Sequence, residues 1–396
     1  MVSQSTLTCA YFSPLPPQRS GIADYSAELL PHLAGQMAIE VYVDVPNDID
    51  RALTGSFKIR PIAEFLASPD LYLQYDVCLY HMGNQPAYHE QIYCALQRFP
   101  GIVVLHEFDL YSFFLNRSRD NTAYVREMGY AYGLEGLYAA RRQRTSGQGV
   151  PLGKYPLFNR LADVSVGVIV HTDYARRTML AASPRARVTC IPLAVSPADF
   201  LEAPDRLKPF PAGTIILASL GYLAPSKRIE SVLRALAQLR HEAIDFRYLL
   251  VGEQVPGCDF TALIKELGLS DVVELTGFAN EDAFRMYLKT IDIGINLRTA
   301  PTGGEMSASL VRLMADGRPV LVSDVGGFAD LPDNCVIKIR QDEAEVEQLA
   351  AALRLLITDP LARVRYGDAA RRYVAQELSF PGVAQKYVAF IRECIE

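Results

Sequence analysis

The feature that most constrains this chain is an alternation that runs twice. Short apolar runs rich in β-branched and aromatic residues, "TLTCAYFS", "IEVYVD", "DVCLYHM", "GIVVLHE", "VSVGVIVH" and "RVTCIPL", are separated by helix-like stretches such as Ile22–Ala34 and Tyr88–Gln97. Continuous apolar strands alternating with amphipathic helices imply a parallel sheet covered on both faces. The pattern stops in "AVSPADFLEAPDRLKPFPAG", which carries four prolines and no clear period and reads as a linker. It then resumes with "TIILASLG", "FRYLLVG", "VVELTG", "DIGINL", "PVLVSDV" and "CVIKI". The expected fold class is therefore α/β, with two doubly wound Rossmann-like domains. Two such domains leave a cleft at the carboxyl ends of their strands, where ligands of open α/β sheets bind.

The expected boundaries are 1–195 for the first domain, 196–212 for the linker and 213–375 for the second domain. A C-terminal helical segment, 376–396, is expected to pack back on the first domain. The 396 residues are too many for one core, which agrees with two domains. A Tyr- and Arg-rich stretch, about 117–160, interrupts the first domain. It reads as a helical insertion with a basic loop, or equally as a solvated charge run.

Composition narrows the function classes. Half the residues are hydrophobic and 21% are charged, as in globular proteins. A net charge of −6 argues against nucleic acid as the main partner. Seven scattered cysteines without a C-x-x-C spacing read as free thiols in a reducing compartment. The N-terminus lacks the pattern of a signal peptide, and no apolar run reaches the ~18 residues of a membrane span. A cytoplasmic protein is expected, with a peripheral contact to the inner face of a membrane left open.

Four stretches carry chemistry. In "YFSPLPPQRSGIADYSAELL" the chain leaves a strand through Arg19, Ser20 and Gly21 and enters a helix at once. Gly21 lets a ligand approach the backbone, and the helix start directs free N–H groups at it. In "LASLGYLAPSKRIESVLRAL" the strand ends at Gly221, and Lys227 and Arg228 stand where a helix begins. Basic groups oppose the dipole there, so either an anion shares that end or both are exposed bases beside Glu230. In "RTAPTGGEMSASLVRLMADG" a Gly-rich loop with Gly304, Glu305, Met306, Ser307, Ala308 and Ser309 offers backbone N–H groups to a diphosphate. Glu305 there accepts sugar hydroxyls, or is only a first-turn acid. In "VVLHEFD" His106 ends an apolar strand, and it is either a site residue or a satisfied structural histidine. His81, Asn84 and His89 follow another strand end. No metal is expected: Asp48-Ile49-Asp50 reads as helix capping, and no His/Cys cluster has ligand spacing.

Taken in this order, these stretches resemble a family-4 glycosyltransferase of the GT-B fold, bacterial type, over nearly the whole chain. The resemblance implies a retaining, hexosyltransferase-like, metal-independent enzyme without a cofactor. Its partners would be a UDP- or GDP-sugar donor and a glycan, lipid-linked or small-molecule acceptor hydroxyl. It further implies that Lys227 neutralises the departing nucleotide diphosphate. Gly21 would approach the donor phosphate, His106 the transferred sugar, and Glu305 the sugar ring. Gly277 and Phe278 of "TGFAN" would meet the base, and Arg19, Asp24, Asn84 and Thr172 would lie on the acceptor side. Two departures stand out. Tyr222 occupies the place of a family Arg, which leaves Arg228 as the second positive charge. Arg312 occupies the place of a second Glu, with six residues between it and Glu305. An Arg cannot accept hydrogen bonds from ribose. A glycosyl phosphorylase, a non-catalytic nucleotide-sugar-binding subunit and a sugar epimerase of the same fold are the alternatives.

Overall fold

In the computed structural model, residues 6–46, 49, 51–118, 120–146, 150, 151, 153–196, 210, 211 and 213–396 are described. Most of the expected linker, residues 147–149 of the basic loop, and Asp48 and Asp50 lie outside the described residues. The chain divides into two compact units. The first comprises Met1–Ala194, Gly303–Met306 and Phe380–Glu396, and the second Val195–Thr302 and Ser307–Ser379.

The first unit is built on seven strands: β1 (Thr8–Phe12), β2 (Ala38–Val43), β3 (Lys58–Pro61), β4 (Val77–Met82), β5 (Ile102–Leu105), β6 (Gly167–Val170) and β7 (Val188–Cys190). All pair in parallel, in the order β3-β2-β1-β4-β5-β6-β7. The winding reverses between β1 and β4, which makes their carboxyl ends the switch point of the sheet. Every residue of β4, β5 and β6 is buried, as a strand covered on both faces requires.

Helix Gly21–Ala34 follows β1. Ser20 caps it by accepting from the Ile22 N–H at 3.3 Å. Ala23, Tyr25, Ser26, Leu29, Leu30 and Leu33 are buried, a spacing that places them on one face. That face packs with Tyr11, Val41 and the C-terminal helix Phe380–Ile395, whose Tyr387 hydroxyl lies 3.4 Å from that of Tyr25. Truncating the fully buried Leu29 to Ala would cost about 2–5 kcal/mol. The interrupting stretch forms helix Thr122–Ser146, kinked at Gly133, and helix Asn159–Val164.

The second unit has six parallel strands: β8 (Ile216–Leu220), β9 (Arg247–Val251), β10 (Val273–Gly277), β11 (Ile293–Asn296), β12 (Val320–Ser323) and β13 (Ile337–Ile339). Their order is β10-β9-β8-β11-β12-β13, so this sheet reverses between β8 and β11. Both units are thus doubly wound α/β, as the alternation predicts. Among the described residues, no helix is long and apolar enough to cross a membrane.

Candidate active site

The switch point of the second unit carries the strongest local chemistry. Gly221 follows β8 with φ +83°, a conformation that L side chains rarely adopt. A Cβ there would sit 3.1 Å from Lys227 Nζ, so the amine lies against the bare glycine. Lys227 Nζ donates to Leu220 O at 2.6 Å. Burial, and secondarily the charge of Arg298, push its pKa down to about 7. At neutral pH the protein alone therefore holds this ammonium only half the time.

The expected second charge, Arg228, is placed elsewhere. Its guanidinium forms an ion pair with the buried carboxylate of Glu345, Nε to Oε1 at 2.9 Å, and Ser231 Oγ donates to the same carboxylate at 2.7 Å. The cation beside Lys227 is instead Arg298, just beyond β11, whose guanidinium lies over the Phe328 ring at 5.4 Å. Thr299 N donates to Ser226 O at 2.8 Å and ties the two loops together. Further along, Ser307 caps helix Ala308–Ala315 by accepting from Leu310 N at 3.4 Å. Asn296, the last residue of β11, donates from Nδ2 to Ser307 Oγ at 3.1 Å and to Ser309 Oγ at 3.2 Å. Arg312 points its guanidinium at the Phe284 ring, 5.5 Å away. Gly277 and Phe278 stand at the end of β10, two strands from β8, with Phe278 exposed.

The first unit brings three histidines into one chain. His81 of β4, and His106 and His171 just past β5 and β6, share one face of the sheet. His81 Nδ1 and His106 Nε2 are 3.0 Å apart, and His106 Nδ1 and His171 Nε2 are 3.2 Å apart. His171 Nδ1 lies 2.9 Å from Ile191 O. A carbonyl only accepts, so His171 Nδ1 carries its hydrogen and Nε2 is the acceptor. That makes His106 Nδ1 a donor and His106 Nε2 an acceptor, filled by the Nδ1–H of His81. The His81 Nε2 lone pair is left buried and without a partner. Neutral rings are what burial dictates: it pushes His171 down to about 4, and it holds His81 and His106 well below the usual range, with the neighbouring rings adding to the effect. Tyr25 packs edge-on against both His106 and His171. His106 is therefore half-buried with both ring nitrogens bonded inside the protein.

Beside this chain lies a carboxyl group to which the sequence alone draws no attention. Glu107 Oε1 accepts from the backbone N–H of Asn84 at 3.1 Å, and Asn84 Oδ1 accepts from Phe113 N at 2.6 Å. Burial first, then the charge of Glu305, pushes Glu107 up to about 8, so it carries a proton at neutral pH. A Cβ on Gly303 would lie 3.5 Å from both Glu107 Oε2 and Glu305 Oε2. The Gly303–Met306 segment is pinned by Phe108 N donating to Gly303 O at 2.7 Å and by Thr172 Oγ1 donating to Gly304 O at 3.0 Å. Thr172 Oγ1 also accepts from Ala175 N as a helix cap. Its hydroxyl is engaged inside the unit. Met306 packs against the cluster containing Tyr11 and Leu29.

Arg19, Gly21 and Asp24 are exposed at the end of the loop that follows β1. Gly21 has no positive φ, and nothing lies within 4 Å of the place its Cβ would occupy. The fold itself makes no demand for glycine there. Among the described residues, no group of three or more His, Cys, Asp and Glu could hold a metal ion. Four site members escape a reading of the sequence: His171, Glu107, Asn296 and Arg298. His81 is visible there only as a strand-end residue, not as a partner of His106. Signals exist for some of them. Three apolar strands run into His, and Asn296 is the lone polar side chain in "IGINL".

Comparison with known proteins shows what this chain is similar to. Residues 205–373 match the family described as glycosyl transferases group 1. The 2-deoxystreptamine glucosyltransferase of Streptomyces kanamyceticus is 29% identical over 201 residues, covering 48% of this chain and 50% of that protein. The chain thus matches about half the length of such curated relatives. Two solved structures share the whole architecture at identities that speak for fold alone. Sucrose-phosphate synthase from Thermosynechococcus elongatus superposes with a TM-score of 0.67 at 18% identity, covering 98% of both chains. Anabaena HepE, in complex with UDP and glucose, gives 0.63 at 16% identity, covering 98% of this chain and 100% of that one. The chain thus has the GT-B fold of these structures, and its second half is similar to glycosyl transferases group 1.

Proposed function

We propose that this protein transfers a glycosyl group from a nucleotide-sugar to an acceptor hydroxyl, with retention at the anomeric carbon. The observation that carries the reading is Lys227. A half-buried amine lies on a bare glycine at the switch point of the second sheet, next to a second cation. An ammonium held that way recovers its lost hydration only when an anion sits against it. A nucleotide diphosphate leaving the sugar develops such an anion, and preorganised positive charge stabilises it where it forms. The N–H groups opening helix Ala308–Ala315 add to this, being free of intrahelical partners. That the similarly folded HepE was solved with UDP and glucose supports a nucleotide-sugar donor.

In this reading the second unit holds the nucleotide, with Gly277 and Phe278 toward the base. The first unit meets the sugar and acceptor through Gly21, Arg19, Asp24 and the protonated Glu107 beside Glu305. The acceptor is a glycan, a lipid-linked sugar or a small molecule. His106 serves by packing and by holding its neighbours in place rather than through a free ring nitrogen. The positive charge comes from Lys227 and Arg298, so we expect turnover without a metal or other cofactor.

The test is a thermal-shift panel of the full chain with UDP, GDP, ADP and their sugars, repeated with EDTA. A ligand at 100 times its dissociation constant stabilises by about 2.7 kcal/mol. One nucleotide family should raise the melting temperature with EDTA present, and Lys227→Ala should abolish the effect. No shift with any nucleotide would refute the donor assignment.

A further inference from the structure

We propose that Asn296 is a positioning residue that forces the Ser309 hydroxyl to donate its hydrogen to the diphosphate of the sugar donor. This rests on the nucleotide-sugar reading above and extends it to two side chains.

A hydroxyl has one hydrogen to give and two lone pairs to fill. Ser307 Oγ accepts from Leu310 N at 3.4 Å and from Asn296 Nδ2 at 3.1 Å, so both its lone pairs are taken. Its hydrogen must therefore go to the one remaining neighbour, Ser309 Oγ, at 3.0 Å. Ser309 Oγ accepts that hydrogen and one from Asn296 Nδ2 at 3.2 Å. Its lone pairs are now full as well. What remains is a single O–H with no acceptor in the triad. Ser309 is half-buried in the first turn of helix Ala308–Ala315, among N–H groups that also lack intrahelical partners.

Asn296 itself points to a ligand. It is 3% exposed, sits at the carboxyl end of β11 beside the sheet's switch point, and its Oδ1 is buried without a hydrogen-bond partner. A residue serving only to fill this strand end would be apolar, as its buried neighbours Ile295 and Leu297 are. Burying an amide with one edge unmatched is costly unless the other edge does something an apolar residue cannot. Here that edge supplies two hydrogens to two serines and so sets the direction of every hydrogen bond in the triad. The result is a donor-only hydroxyl aimed at an anion, added to the charge of Lys227.

Isothermal titration of the full-length protein with UDP, GDP and ADP, and with the matching nucleosides, tests this. Loss of one hydrogen bond to a charged phosphate should weaken diphosphate binding by about tenfold or more in Ser309→Ala. Nucleoside affinity should stay unchanged, the unliganded melting temperature should fall because Ser307 and Asn296 each lose an acceptor, and Ser309→Thr should restore both binding and stability. Asn296→Asp, which accepts but cannot donate, should draw both serine hydrogens to itself and weaken diphosphate binding while sparing the nucleoside. Wild-type affinity for the diphosphate in Ser309→Ala would overturn this inference alone. So would an Asn296→Asp protein that melts lower yet binds diphosphate as the wild type does. If the wild type binds none of the three diphosphates, the nucleotide-sugar reading falls, and this inference falls with it.

Discussion

Binding of a nucleoside diphosphate should draw a proton from solution onto Lys227, and the uptake can be counted. In the free protein its pKa is pushed down to about 7 by burial and by Arg298. A bound diphosphate replaces the lost hydration and returns the amine toward its ordinary value near 10.4. The free amine is then about half protonated at pH 7 and about one-tenth at pH 8, so uptake per ligand rises from about 0.5 to about 0.9 proton. Raising a pKa by one is worth about 1.4 kcal/mol, so a full return couples proton and anion by on the order of 5 kcal/mol as an upper bound. The assay is titration calorimetry with the best-binding nucleotide in buffers of different ionisation enthalpy. The slope of observed enthalpy against buffer enthalpy is the proton count. Lys227→Arg keeps the charge but cannot deprotonate, so its slope should vanish. A wild-type slope near zero at pH 8, or one that survives in Lys227→Arg, would refute the assignment of a depressed lysine at the anion site.

Three further outcomes are expected. Gly21→Ala should leave the protein as stable as before or up to about 1 kcal/mol more stable, since the helix start tolerates it. It should nonetheless lose most transfer activity if the proposed sugar-phosphate uses the open space beside Gly21; unchanged activity would show that space to be unused. Glu107 binds a proton in the folded state between its unfolded value near 4.5 and about 8, where the unfolded chain does not. Its contribution is full below pH 4.5 and is lost at about 1.4 kcal/mol per pH unit as pH rises toward 8. Glu107→Gln should remove that slope, seen as a melting-temperature gain over wild type that grows from pH 5 to pH 8. The buried His81, His89 and His171 and the half-buried His106 work in the opposite direction. Their folded values lie below the unfolded value near 6.5, at about 4 for His89 and His171. The stability they hold above pH 6.5 is lost as pH falls toward 4, at about 1.4 kcal/mol per pH unit for each. Thermal melts should show a steep acid limb between pH 6 and pH 4, and His89→Gln should make it shallower by one proton.

Much of the fold is legible because its signals are local. Strands such as β4, buried along its whole length, read directly as apolar runs, and the helix starts at Ser20 and Ser307 carry their own caps. The strand that composition hides, β3, is "KIRP" at the sheet edge, where Lys58 and Arg60 pair with Glu40. Edge strands carry charge and proline, so they lack the apolar run that marks a central strand. The same division holds in the site. Lys227 and Ser307 to Ser309 are visible because a strand end and a helix start lie close in sequence. The fate of Arg228 is not, because its partner Glu345 is 117 residues away. Nor is the engagement of His106, whose partners His81 and His171 lie 25 and 65 residues off on neighbouring strands. Arg298 and Asn296 acquire meaning only when β11 is placed next to β8.

The central claim is that the chain moves sugar from a nucleotide carrier with Lys227 at the leaving group. The most direct measurement is release of nucleoside diphosphate from UDP-, GDP- and ADP-sugars by the full chain, with a mixed panel of hydroxyl acceptors and with EDTA. The anomeric configuration of the product is read by NMR. The expected result is diphosphate release coupled to a glycosylated product of the donor's own configuration, undiminished by EDTA and lost in a folded Lys227→Ala protein. Near-normal turnover by that variant, an inverted product, or sugar release that requires inorganic phosphate in place of an acceptor would contradict it.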